Sequence, residues 1–124
     1  LTLAEVIVSL AILGGVLLAL GMFSARLSQA TSQARIRITA SQLATERIEQ
    51  VKSAPRYSAI ESTFVLTEAN LTGPDSLGRF SRRTWVTRVG GALTDTIDYK
   101  IVTVQVSQAN APGTVRKTTV IAPF

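Results

Sequence analysis

The chain contains no cysteine and no histidine. Disulfide staples, Cys or His metal sites, thiol nucleophiles and imidazole bases are therefore excluded. Carboxylates are also few, with 8 Asp and Glu against 13 Lys and Arg and a net charge of +5. Glu61, Glu68, Asp75, Asp95 and Asp98 are scattered along the C-terminal half, with no nucleophile or basic partner set at a catalytic spacing. Neither an enzyme constellation nor a cofactor is expected from such a pattern. Glycine and proline are missing from Ser24 to Ala54, so nothing in that stretch interrupts a helix. Pro55 then ends it, because a proline disfavours α geometry at the residue before it and cannot continue the hydrogen-bond ladder.

What is present begins with an apolar run. From Val6 to Phe23 every residue is apolar or small except Ser9. Twenty-three helical residues span about 35 Å, enough to cross a bilayer. Glu5 sits at the head of this run, and an ionisable group in a lipid-facing segment is a functional hypothesis by default. Ile36, Ala40, Ala44, Ile48 and Val51 then step by four, four, four and three, which draws one apolar stripe down a helix. Arg35, Gln42, Glu46, Glu49 and Gln50 lie off that stripe. The two zones together predict one helix of about fifty residues, or about 75 Å.

Arg56 to Gly78 reads as a connecting region, with Phe64-Val65-Leu66 as a short strand and Gly73-Pro74-Asp75 as a turn. Phe80 to Val89 is β-branched and aromatic, and Gly90-Gly91 follows as a turn. In Ile97 to Ser107, Val102, Val104 and Val106 alternate with Thr103 and Gln105, so one face is buried and the other wetter. Ala111-Pro112-Gly113 marks another turn, and Thr114 to Ile121 completes a hairpin. The expected fold is α+β. A long N-terminal helix, apolar and projecting in its front half, packs through its C-terminal half on an antiparallel meander of three or four strands. The expected zones are 1–23, 24–54 and 55–124.

The residues Leu1-Thr2-Leu3-Ala4-Glu5-Val6-Ile7-Val8-Ser9-Leu10-Ala11-Ile12-Leu13-Gly14 closely resemble the mature N-terminus of type IV pilins and the related pseudopilins of type II secretion. Gln42 to Lys52 is further similar to the helix end of a subgroup of minor pilins and I-type pseudopilins. The chain departs from the commoner pattern with Leu1 in place of Phe, Met22 in place of the proline of many major pilins, and no cysteine pair. The resemblance implies a lollipop-shaped subunit that polymerises through its N-terminal helix into a cell-surface filament serving motility, adhesion or DNA uptake. It implies a stay in the inner membrane before assembly, cleavage of a short basic leader by a prepilin peptidase, N-methylation at Leu1, and partners in identical subunits and the pilus assembly machinery. The alternatives are a minor pilin or pseudopilin of a secretion or DNA-uptake filament, and a filament-borne DNA-binding or adhesive module.

Three sets of residues carry these expectations. Glu5 pairs with the terminal amine of Leu1, in its own or a neighbouring subunit, and sets filament register; otherwise it is a first-turn carboxylate favoured by the helix dipole. Gly14, Gly15 and Gly21 each cost about 1 kcal/mol relative to Ala in a helix. They permit melting between about Gly14 and Met22 in a filament, or else close helix packing. Arg79, Arg82, Arg83 and Arg88, interleaved by Phe80 and Trp85, form a candidate contact for DNA or surface polyanions. Strand alternation places Arg82 and Arg83 on opposite faces, so the competing reading is ordinary exposed or interface charge. Asn70-Leu71-Thr72 fits a glycosylation sequon, a short motif that often occurs by chance.

Overall fold

The computed structural model describes residues 2–73, 78–111 and 113–123. Leu1, Asp75 and parts of the two proline turns (Pro74 with Asp75, and Pro112) lie outside the described residues. The chain divides into two compact units, Leu1–Arg35 and Ile36–Phe124.

Helix α1 runs from Leu3 to Lys52. Its end is closed by Ser53 N–H donating to Glu49 O at 3.0 Å and Ala54 N–H donating to Val51 O at 3.1 Å, directly before Pro55. In the first unit α1 is apolar from Val6 to Phe23 and largely polar from Ser24 to Arg35, and its large apolar side chains are exposed. This helix is long and apolar enough to cross a membrane, with a mean hydropathy of 2.6 over its most apolar window.

In the second unit α1 buries Thr39, Ala40, Leu43, Ala44, Arg47, Ile48 and Val51. The expected stripe is there, broadened by the neighbours three residues along, because two adjacent rows of a helix face a flat sheet. A 3-10 turn at Tyr57–Ala59 leads into α2, Ile60–Phe64. Phe64 therefore closes a helix and does not begin a strand. Helical spacing of four brings Ile60 and Phe64 onto the same side, where Ile60 is fully buried and Phe64 packs against the core.

Four strands follow: β1 Leu66–Thr72, β2 Arg79–Gly90, β3 Asp98–Gln108 and β4 Thr114–Ile121. They form an antiparallel meander in the order β1-β2-β3-β4. Val102, Val104 and Val106 on β3 are completely buried. They join Phe80, Ile121 and the α1 residues Leu43, Ala44, Ile48 and Val51 in one core. Ala40 and Ala44 leave room for the helix backbone to approach the sheet.

Two backbone details position charged groups. The β1–β2 pairing shifts between Glu68 and Leu71, and Asn70 there takes φ +61°. Residues three apart normally point to opposite faces of a strand. The bulge places Glu68 opposite Arg82 and Leu71 opposite Phe80, both toward the helix. At the β2–β3 turn, Gly90 and Gly91 take φ +77° and +86°, and Gly91 N–H donates to Ile97 O at 3.1 Å.

Candidate assembly helix and charged sheet faces

At the start of α1, Thr2 and Glu5 form a reciprocal capping box. Thr2 N–H donates to Glu5 Oε2 at 2.7 Å, and Glu5 N–H donates to Thr2 Oγ1 at 3.3 Å. The threonine-x-x-glutamate spacing satisfies two backbone donors that a helix start leaves without partners. Ser9, the polar residue of the apolar run, returns its hydroxyl to Glu5 O at 2.7 Å. Its polarity is thus met within the helix, as a lipid environment demands. Gly14, Gly15 and Gly21 lie in continuous α-helix, and a Cβ at any of them meets nothing within 4 Å. The expected Leu1 pairing and N-methylation site falls outside the described residues.

The four arginines expected to act as one basic cluster are separated by the fold. Arg82 points to the helix side and is almost sequestered, its side chain 5% exposed. Its Nε donates to Glu68 Oε2 at 2.7 Å and its Nη1 donates to the backbone oxygen of Leu43 at 3.0 Å. Arg47, from α1, reaches the same carboxylate with Nη2 at 3.5 Å. Its Nε donates to Thr84 Oγ1 at 3.4 Å, its Nη1 to Gln50 Oε1 at 3.0 Å, and its guanidinium lies 5.3 Å from the Phe64 ring centroid. The hydrogen bond from Arg82 holds the Glu68 carboxyl below its ordinary value. Burial lowers the pKa of Arg47, and Glu68 opposes that shift. This triad ties helix to sheet and is unavailable to an external ligand.

Arg88 is likewise committed. It forms a two-pronged pair with Asp98, Nε to Oδ1 at 3.0 Å and Nη2 to Oδ2 at 2.8 Å. Tyr57 donates its hydroxyl to the same Oδ1 at 2.9 Å. The Arg88 hydrogen bond lowers the Asp98 pKa, while desolvation and then the Asp98 carboxylate raise that of Tyr57. Lys100 closes the group: its Nζ donates to Tyr57 O at 2.9 Å, lies 3.5 Å from Glu61 and sits 4.5 Å from the Tyr57 ring centroid. Glu61, Glu68 and Asp98 look scattered in sequence, yet the fold gives each a basic partner.

Arg79 and Arg83 remain on the surface. Arg79 donates to Asn70 Oδ1 at 3.4 Å and lines a shallow cleft of about 490 Å³ with Ile36, Gly78, Gln108 and Asn110. Arg83 lies on the sheet face turned away from the helix, 5.8 Å from the centroid of Trp85. Arg116 on β4 approaches the same indole at 5.5 Å and donates to Gln105 Oε1 at 3.1 Å. Arg116 is far from the basic cluster in sequence. Its role becomes visible only through register, since it pairs with Gln105, which pairs with Arg83. Arg47 is the other residue the sequence conceals: its position on the apolar rows of α1 was the available signal. Compared with known proteins, the chain is matched by no family model, no curated protein and no solved structure.

Proposed function

We propose that this chain is a structural subunit of a type IV pilus-like filament, held in a membrane by the front half of α1 and then assembled through that same surface. The observation that carries the reading is thirteen large apolar side chains between Leu3 and Phe23, each exposed in the single chain. At about 1.5–3 kcal/mol for each side chain removed from water, leaving them hydrated costs roughly 20–40 kcal/mol. Lipid removes that cost before assembly, and a bundle of neighbouring helices removes it afterwards. A head-to-tail contact that does not close a ring gives an open helical filament.

The register role of Glu5 rests on its place in the pilin-like opening residues. In the single chain its carboxylate caps the helix start by accepting from Thr2 N–H, so pairing with a neighbouring subunit's cationic group takes the place of a contact inside the chain. Gly14, Gly15 and Gly21 lower the cost of local melting once neighbouring helices shield the backbone. The outcomes of Glu5→Ala and Glu5→Gln test the reading: cells carrying either variant should hold the subunit in the membrane and lack filaments. Filaments in normal number from both variants would remove the register role. An unprocessed N-terminus in mass spectra of the native protein would remove the pilin frame. The helix end at Gln42 to Lys52 favours the minor pilin or pseudopilin alternative. Negative-stain images separate the two, since deletion of a major subunit abolishes an abundant filament and deletion of a minor one does not.

A further inference from the structure

We infer that the sheet face turned away from α1 binds single-stranded nucleic acid through Arg83, Trp85 and Arg116. The side chains come from β2 and β4 and converge over β3. Arg83 and Arg116 place their guanidinium carbons 5.8 and 5.5 Å from the centroid of the one indole. Among the described residues neither guanidinium forms an ion pair, whereas Arg47, Arg82 and Arg88 all do. Alternation along the paired strands also leaves this face without a carboxylate among the described residues. Two unneutralised cations thus stand together on an acid-free surface, a footprint that attracts polyanions.

Charge complementarity decides the occupant. A second copy of this chain is itself cationic, with a net charge of +5, and four of its eight acids, Glu68, Asp98, Glu61 and Glu49, are already paired with Arg82, Arg88, Lys100 and Lys52. Face-to-face self-docking here would set arginine against arginine. An external polyanion has no such conflict. Among polyanions, the face favours one that also carries flat rings, because two guanidinium planes and an indole offer stacking surfaces beside their N–H donors. Unpaired bases present such rings, and their phosphates meet the N–H edges. The inference does not depend on filament assembly, since every residue it uses lies within Ile36–Phe124.

Trp85 is the single tryptophan of the chain, so its fluorescence reports on this face alone. The full chain in non-ionic detergent micelles is titrated with oligo(dT) of about 16 nucleotides, a length one small binding sheet can cover. Binding should quench Trp85. Two phosphate contacts predict a salt slope of about −1.4, so affinity should fall about sevenfold between about 50 and about 200 mM salt. Arg83→Ala with Arg116→Ala should lose at least about tenfold in affinity and most of the salt slope. Arg83→Lys with Arg116→Lys keeps the charge and folds without a deletion; it should keep the slope but lose the stacking part of the affinity, while Arg56→Ala should change nothing. Absence of quenching, a double alanine variant that binds unchanged, or full rescue by lysine would overturn the inference. So would equal or tighter binding of a duplex of the same length. Heparin binding as tightly as oligo(dT) with the same quenching would overturn it too, leaving a general polyanion surface.

Discussion

Replacing Glu68 by alanine removes the one carboxylate between two buried arginines. Glu68 accepts a 2.7 Å charge-assisted bond from Arg82 and stands 3.5 Å from Arg47. Those side chains are 5% and 8% exposed, against 24% for Glu68 itself. Breaking a buried pair from one side costs about 3–5 kcal/mol. Partial exposure of the carboxylate reduces this, so about 3 kcal/mol is expected. In a domain of roughly 60–100 residues that lowers the midpoint of thermal unfolding by about 12–24 °C. Urea or thermal unfolding in detergent, followed by Trp85 fluorescence, measures the loss.

The effect also has a pH signature. The folded Glu68 carboxyl titrates below its ordinary value of 4.5, so its contribution is complete above that value and fades as pH falls through the folded pKa. The gap between the native protein and Glu68→Ala should therefore shrink as pH falls from 4.5 through the lowered folded pKa. Glu68→Leu combined with Arg82→Met should recover part of the loss, because apolar packing can replace a buried pair. A Glu68→Ala penalty under about 0.5 kcal/mol at neutral pH, or a gap that widens in acid, would refute the triad as the tie between helix and sheet.

Phe80→Ala empties the largest fully buried side chain among the described residues and should cost about 3–5 kcal/mol in the same unfolding assay. Gly90→Ala forces a side chain onto φ +77°, where its Cβ would meet Ile97 O; a loss of more than about 1 kcal/mol is expected, with weakened protection of the Gly91 amide in hydrogen exchange. Lys100→Met removes the donor to Tyr57 O and the partner of Glu61; a loss of about 1–2 kcal/mol is expected by urea denaturation.

Most of the architecture was legible from periodicity and punctuation. The four-residue steps from Ile36 to Val51 marked the helix face, Pro55 its end, and the valines of β3 the buried side of the sheet. These signals are local, since each depends on the 3.6- or 2-residue repeat of one element. Phe64 reads as a strand residue in sequence but closes α2, because a short apolar run fits a strand or a buried helical turn equally, and only Ile60 beside it in the core selects the helix.

The arginines divide along the same line. Sequence alone determined that they are numerous, that adjacent Arg82 and Arg83 face opposite ways, and that a long apolar helix precedes them. Which arginine meets a carboxylate was decided by tertiary structure. The bulge at Asn70 turns Glu68 toward Arg82, the β2–β3 register brings Asp98 to Arg88, and two strand pairings carry Arg116 to Trp85. Register and bulges are properties of paired strands, set by which side chains the whole core accepts, so no single stretch of sequence encodes them.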